Sequence, residues 1–125
     1  MSIKIFLTIH STIYFIFAFA LFFIPTLLWP LYGLEINDKY ALFLSQHNSI
    51  FLAGIGIVAF MFREIEAKSQ AIKKLLLSLA LTNSIGFAIT TYACFIGTFS
   101  SLGWSDPVFF ALLTLACVRQ LRSNA

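Results

Sequence analysis

The chain contains little charge. Of its 125 residues only eight are Lys or Arg and five are Asp or Glu, or 10% charged, whereas soluble domains average about 25% charged residues. Apolar residues make up 60% of the sequence, and the mean hydropathy is +0.93. Thirteen charged side chains are too few to cover the surface of a soluble protein of this size. In a membrane the outer face contacts lipid, which solvates apolar side chains well. The composition therefore predicts an integral membrane protein.

Charge is missing altogether from the middle of the long apolar stretches, where no Asp, Glu, Lys or Arg occurs. Proton-coupled transporters usually need a carboxylate within the membrane. Small multidrug exporters are similar to this chain in length and in number of spans. They depend on a Glu in the first span, however, and this sequence has none there. The absence argues against that class of transporter.

Cysteine and histidine are also scarce. Cys94 and Cys117 are expected near opposite membrane faces, too far apart for a disulfide, and are interpreted as small buried side chains. No Cys/His cluster has the spacing of a metal site, so neither a metal nor a cofactor is predicted. A lone His without a nucleophile or a metal partner argues against an enzyme.

Four apolar stretches are long enough to cross a membrane, since a helix needs about 20 apolar residues to do so. They cover approximately residues 5–29, 40–62, 72–97 and 105–121. We predict an all-α fold, a single four-helix transmembrane bundle that includes the whole chain, residues 1–125. Asp106 as N-cap and Pro107 at the first helical position predict the start of the fourth span.

The first span has two further features. Pro25 and Pro30 lie toward its end, where a kink or an unwound turn costs least. Ala18 and Ala20 resemble the small-residue cleavage site of a signal peptide, which is the alternative interpretation of this segment. The apolar run continues beyond them to Ile24, and this continuation favours an uncleaved span.

Nearly all basic residues fall on one side of the predicted membrane. Lys39 alone lies in the loops of the opposite side, and the other seven are Lys4, Arg63, Lys68, Lys73, Lys74, Arg119 and Arg122. Cytoplasmic loops are rich in Lys and Arg, so the pattern predicts an up-down-up-down topology with both termini cytoplasmic, in a bacterial inner membrane. Such dispersed charges are typical of topology determinants, and no nucleic acid is expected as a partner. Trp29 and Trp104 fall at the opposite boundary, as in an aromatic belt.

The loop between the second and third spans carries helix signals. Glu64 precedes Lys68 by four residues, a spacing that supports a helix in water. This spacing predicts that the helices of the second and third spans extend beyond the membrane into the loop. Ser69 is a suitable N-cap for the third span.

Small residues mark where helices approach each other in lipid. In the third span they share one face, spaced by three and four residues, and are Asn83, Gly86, Thr90, Ala93 and Gly97. The second span has a comparable face with Ser45, Ser49, Ala53 and Gly56. We predict that both faces point inward and pack on each other; the alternative is a pore or a ligand cavity between them.

The most polar stretch within any span is Gln46, His47 and Asn48. Thr90, Thr91 and Tyr92 of the third span should lie at a similar depth, so these six residues are candidates for a binding pocket. Such a pocket would take a lipid headgroup, a quinone carbonyl or a small polar solute. The alternative is a hydrogen-bonded cluster that specifies helix packing.

A second polar group is expected nearer the cytoplasmic side. His10 lies one turn before Tyr14 in the first span, and helical rise places Asn83 of the third span at a similar depth. A hydrogen bond from His10 or Tyr14 to Asn83 is therefore expected, and all three residues are further candidates for ligand binding.

Several short motifs carry a family resemblance. Ile24-Pro25 and Trp29-Pro30 end the first span, a Leu-Tyr-Gly-Leu turn covers Leu31–Leu34, and the second span contains Ala53-Gly54-Ile55-Gly56. In these features the chain resembles the DoxX-like group of small four-helix bacterial membrane proteins. Relatives of that group have an Arg early in the second span, where this chain has Gln46, His47 and Asn48. The resemblance implies the four-helix fold and, for some members, accessory subunits of respiratory or redox complexes.

The missing catalytic constellation and the short loops favour a non-enzymatic membrane protein, either an accessory subunit or a binder of lipid or another hydrophobic ligand. The expected partners are membrane lipids, a quinone or other hydrophobic ligand, and a partner subunit or further copies of the chain. The alternative is a small homo-oligomeric transporter or channel, because four short helices leave little room for a conduit within one copy.

Overall fold

The computed structural model describes residues 1–123, and this part of the chain is helical without any strand. The helices are α1 (Ile3–Phe23), α2 (Pro25–Leu31), α3 (Lys39–Met61), α4 (Gln70–Phe95), a 3₁₀ helix (Ser101–Trp104) and α5 (Ser105–Ser123). Four segments are long and apolar enough to cross a membrane: α1, α3, α4, and α5 together with the 3₁₀ helix. The predicted all-α fold with four membrane-length helices is confirmed.

Proline divides the first predicted span into two helices. The backbone N–H of Ile24 still bonds to the Ala20 carbonyl at 3.0 Å, but Pro25 has no N–H with which to continue α1. Pro25 instead opens α2 at its first position, where a missing N–H costs nothing. The kink therefore falls where the sequence placed it, and α2 forms a separate element over the end of the bundle.

Polar side chains begin the other helices. The Asp38 carboxylate accepts the N–H groups of Tyr40 and Ala41 at 3.0 and 2.8 Å, and Ser69 accepts that of Ile72 at 3.2 Å, as predicted. α5 differs from the prediction, because it starts at Ser105 and follows the 3₁₀ helix directly. Asp106 therefore lies within the first turn of α5 and is not its N-cap.

The connection between α3 and α4 is not helical, so the predicted helical extensions are wrong. Residues 62–69 form turns. The Glu64 carboxylate lies 3.3 Å from the Lys4 ammonium of α1 and does not pair with Lys68. A charge pair within an exposed helix contributes only about 0.2–0.5 kcal/mol, so contacts of the loop with α1 easily override it.

The long helices associate in two close pairs, α1 with α3 and α4 with α5. The core joins the pairs near one end of the bundle through apolar side chains that include Leu7, Ala59, Ile72, Leu76 and Cys117. This end also holds the Lys4–Glu64 ion pair and the hydrogen bond from Gln120 Nε2 to the Met1 carbonyl at 3.3 Å. We call it the terminal end, and the end that holds α2 and the 3₁₀ helix the loop end.

The small-residue faces of α3 and α4 do not pack on each other as predicted. A Cβ on Gly56 of α3 would lie 3.0 Å from the Phe15 ring of α1, and one on Gly86 of α4 would lie 2.7 Å from the Phe110 ring of α5. Each glycine receives an aromatic ring from the partner within its own pair. Small residues accept whichever large side chain faces them, and their spacing does not identify the helix that supplies it.

The remaining residues predicted to pack lie outside the close contacts. Ser49, Ala53 and Ala93 are half-buried, and the Ser49 hydroxyl donates to Gln46 of its own helix. Gly97 lies beyond the end of α4, where a Cβ would meet nothing within 4 Å, and its φ of +82° is the left-handed conformation that ends many helices.

Candidate functional site

A buried polar cluster joins α1, α4 and α5. It consists of His10, Tyr14, Asn83 and Cys117, each almost completely buried. The Tyr14 hydroxyl donates to Asn83 Oδ1, and Asn83 Nδ2 lies 3.0 Å from His10 Nε2 and 3.8 Å from Cys117 Sγ. The His10 and Tyr14 rings stack with centroids 4.9 Å apart. A hydrogen bond to Asn83 was predicted from either His10 or Tyr14, and the structure has both.

The cluster fixes the tautomer of His10. Because the Asn83 oxygen accepts the Tyr14 proton, its NH₂ group points at His10, and the neutral imidazole accepts that bond at Nε2. The ring proton is then on Nδ1, which is buried and has no hydrogen-bond partner among residues 1–123. The cluster resembles a structural hydrogen-bond network more than a catalytic site, because it holds no nucleophile activated by a base.

A partly open cavity of about 210 Å³ extends from Tyr14 and Thr90 toward the loop end. Half of the residues in its wall are aromatic, and they include Phe17, Trp29, Phe99, Phe109 and Phe110. These rings come from α1, α2, α5 and the loop before the 3₁₀ helix. The kink at Pro25 matters for the cavity, since it turns α2 so that Trp29 contributes to the wall.

Three of the polar donors in the wall, those of Tyr14, Thr90 and Trp29, are already bonded to protein. The Tyr14 hydroxyl donates to Asn83, and the Thr90 hydroxyl donates to the Gly86 carbonyl at 2.8 Å. Trp29 Nε1 donates to Ser45 Oγ at 2.8 Å, and Ser45 in turn donates to the Leu21 carbonyl at 2.8 Å. The cavity therefore presents mainly ring faces and methyl groups to an occupant.

The charged residue of the wall is Asp106, at the loop end. It lines the wall together with Tyr32, which is buried. Burial, followed by the negative charge of Asp106, raises the pKa of Tyr32. Tyr32 consequently stays protonated at neutral pH and keeps a proton to donate to the carboxylate.

A groove of about 300 Å³ lies next to the cavity, between α1 and α5. Phe17, Tyr32, Asp106 and Phe109 line both spaces, whereas Val108 and Leu112 on the groove side are exposed. The Phe17 and Phe109 rings, which contribute to both walls, contact each other with centroids 5.5 Å apart.

The pocket predicted around His47 and Asn48 does not form within one chain. Both side chains are exposed on α3, where His47 lies between the rings of Phe43 and Phe51. Gln46 turns the other way and donates to the Phe22 carbonyl at 3.3 Å. The pairing of α3 with α1 explains this arrangement. Gln46 lies on the face of α3 that contacts α1, whereas His47 and Asn48 point away from α1.

The α4 part of the predicted pocket is also divided. Thr90 is buried in the cavity wall, Thr91 is half-buried, and Tyr92 is 65% exposed. Thr90 is therefore the member of the predicted set that belongs to the cavity, together with Tyr14 from the His10 set.

Sequence reasoning missed most of the cavity. Asp106 was interpreted as a helix cap and Trp29 as part of an interfacial belt, and no phenylalanine was singled out. The abundance of Phe, 15 residues of 125, was the available signal, but it does not identify which rings converge. Among residues 1–123 no group of three His, Cys, Asp or Glu side chains is placed to hold a metal ion.

No protein-family model, no curated protein and no solved structure matches this chain.

Proposed function

We propose that this chain is a non-enzymatic integral membrane protein that holds a hydrophobic ligand within its helix bundle. The observation that supports the proposal is the aromatic cavity of about 210 Å³ between the helices. It exceeds the roughly 150 Å³ at which an engineered apolar cavity binds benzene, and it is smaller than the roughly 300–1,000 Å³ of pockets for drug-sized ligands. The size suits a compact ring or the end of a longer chain.

Three kinds of occupant have this size and polarity: the end of a lipid acyl chain, the ring of a quinone, and another small hydrophobic molecule. The resemblance to the DoxX-like group also suggests a protein partner outside the cavity, a membrane subunit to which this chain would be accessory. The engaged hydrogen-bond donors of the wall favour occupants held by shape and by contact with aromatic rings.

A cavity-filling variant tests the proposal. Leu113 is buried in the cavity wall and Leu115 is 65% exposed on the same helix, so Leu113→Phe and Leu115→Phe form a matched pair. We expect native mass spectrometry of protein released gently from its own membrane to show a bound small molecule in the wild type and in Leu115→Phe. Leu113→Phe should release it. A bare wild-type protein, or retention of the molecule in Leu113→Phe, would contradict the proposal.

We propose further that the chain crosses a bacterial inner membrane four times, up-down-up-down, with both termini in the cytoplasm. The support is the charge distribution, because the basic residues of the two termini and of the α3–α4 loop gather at the terminal end, where Lys4 reaches Glu64. A membrane-impermeant maleimide tests it. Asn37→Cys should react in intact cells, whereas Lys68→Cys should react only after the inner membrane is opened, and the reverse pattern would invert the topology.

A second candidate function, a small homo-oligomeric transporter or channel, is favoured by the outward side of α3. His47 and Asn48 are exposed within a membrane-length helix, and an unpaired polar group in hydrocarbon costs roughly 2–7 kcal/mol. Contact with a second copy would satisfy both. We expect Asn48→Leu to lower the copy number seen in native mass spectrometry, and a monomeric wild type that supports no flux in vesicles would exclude this candidate.

A further inference from the structure

The loop end of the cavity has an arrangement that goes beyond a plain apolar pocket. Trp29, Tyr32 and Phe99 form an aromatic cluster with edge-on and tilted contacts, and their ring centroids lie 5.6–6.3 Å apart. The cluster is fixed in place by the hydrogen bond from the Ser100 N–H to the Tyr32 carbonyl at 2.9 Å. Gly103 leaves the room for this approach, since a Cβ there would lie 3.0 Å from the same carbonyl.

Asp106 lies beside this cluster without a cationic partner. Among residues 1–123 both ion pairs involve Glu64, which is at the terminal end. The carboxylate lies in the first turn of α5, where the positive end of the helix dipole favours negative charge. A carboxylate in a wall rich in aromatic rings remains a strong attraction for positive charge, because few other polar groups there compete with it.

The chemistry of the wall selects among ligand classes. A quinone carbonyl needs a hydrogen-bond donor, and the hydroxyls of Tyr14 and Thr90 and the indole N–H of Trp29 already donate to protein groups, which leaves the Tyr32 hydroxyl beside Asp106. A cation needs a carboxylate and the faces of aromatic rings, which attract positive charge through their quadrupoles. The cavity supplies both at its loop end.

We propose that the cavity binds small hydrophobic cations, with an ammonium group at Asp106 beside the aromatic cluster and an apolar part that extends toward Tyr14. This inference rests on the proposed function, since it names the class of ligand for the same cavity. The groove shared by Phe17, Tyr32, Asp106 and Phe109 gives such a ligand an access route from the lipid boundary. The Asp106 carboxylate would then meet the cation as it moves from the lipid headgroup region into the cavity.

Two probes of nearly the same shape test the charge requirement. Phenyltrimethylammonium carries a quaternary nitrogen where tert-butylbenzene has a carbon, so the pair differs in charge and hardly in volume. Saturable binding of each is measured by calorimetry on the purified protein in detergent, against protein-free micelles. We expect the cation to bind at least tenfold more tightly than the neutral probe.

Two carboxylate variants locate the effect. Asp106→Asn should lower the affinity for the cation at least tenfold and leave that for tert-butylbenzene unchanged. Asp38→Asn makes the same chemical change at the loop end, at the exposed N-cap of α3. Asn is as good an N-cap as Asp, so this variant should alter neither affinity. Thermal unfolding in detergent verifies that both variants fold.

The outcomes separate this inference from the proposed function. Binding of tert-butylbenzene that equals or exceeds that of the cation overturns the ligand class and leaves the cavity as a hydrophobic site. Equal losses for both probes in Asp106→Asn also overturn it, since Asp106 would then act through the shape of the cavity. If neither probe binds to the wild type, the proposed function and the ligand class fail together.

Discussion

Helices α3 and α4 have similar lengths, 23 and 26 residues, and the same mean hydropathy of 1.4 in their most apolar windows, yet the bundle buries 11% of the α3 window and 33% of the α4 window. Each contains one Asn, and α3 has two glycines where α4 has one. Asn83 of α4 is fully buried and bonded to two side chains, whereas Asn48 of α3 is exposed. Hydropathy therefore assigns both helices to the membrane without distinguishing the interior helix from the peripheral one.

The difference arises from what the neighbouring helices present. Lipid tails are as apolar as Leu, so no hydrophobic force decides which face of a membrane helix turns inward. Directional contacts decide it instead. α4 receives Tyr14 and His10 from α1 and Phe110 from α5, whereas α3 receives mainly Phe15 and the Leu21 carbonyl from α1. The comparison predicts that equal substitutions in the two helices have unequal effects.

The largest effect is expected for the two asparagines. Asn83→Leu removes the partner of both the Tyr14 hydroxyl and His10 Nε2. Each buried polar group left unpaired costs roughly 1–3 kcal/mol, so we expect a loss of about 3 kcal/mol in the free energy of unfolding. Unfolding is measured by denaturant titration of the monomer in mixed micelles.

Asn48→Leu is the matched control. It places an apolar side chain where the structure exposes a polar one, and the stability of the monomer should change by no more than about 0.5 kcal/mol. Similar losses in the two variants would mean that Asn48 is also buried, and the contrast between α3 and α4 would be wrong.

The glycines sharpen the same comparison. Gly86→Leu forces a side chain against the Phe110 ring, which lies 2.7 Å from the position of a Cβ, and overpacking of this kind costs about 1–3 kcal/mol. A Cβ on Gly54 of α3 would meet nothing within 4 Å, and Gly54→Leu also gains helix propensity. We therefore expect a lower melting temperature in detergent for Gly86→Leu alone. A stable Gly86→Leu variant would show that α5 moves away easily and that the contact is loose.

The smallest effect concerns the serines through which α3 meets α1. Ser45 accepts from Trp29 Nε1 and donates to the Leu21 carbonyl, so Ser45→Ala should cost about 1 kcal/mol. Ser49 donates only within α3, and Ser49→Ala should be nearly neutral. A shift in the tryptophan emission of Ser45→Ala, absent from Ser49→Ala, would report the lost indole bond. An unchanged spectrum in both would argue that Trp29 does not bond to Ser45.

Depth along the helices was predictable, and orientation around them was not. Helical rise placed His10, Tyr14 and Asn83 at one level, and they meet because each lies on an inward face. The same reasoning placed His47 level with Thr90, but the two point in different directions, since α3 turns Gln46 and Ser45 toward α1. Rise per residue is a constant of the helix, whereas rotation depends on which neighbour a helix packs against.

The cavity could not be predicted for a related reason. Its wall combines side chains from α1, α2, α4 and α5 with Phe99 of a loop, elements far apart in the sequence. Phe, Trp and Thr in a span are each explained equally well by lipid contact or ordinary packing. Only their convergence distinguishes a cavity from a filled core, and convergence has no signal in a single sequence.

The sequence by itself determined the membrane class, the four long helices, the break at Pro25 and the Ser69 cap. These follow from local chemistry: apolar length, a missing N–H and a side-chain oxygen at a helix start. The tertiary structure alone decided that α1 pairs with α3 and α4 with α5, that Asn48 is exposed, and that Asp106 lies in the wall of an aromatic cavity. Those outcomes depend on which large side chains meet across helices. Local chemistry does not distinguish one helix pairing or rotation from another, and packing between the helices does.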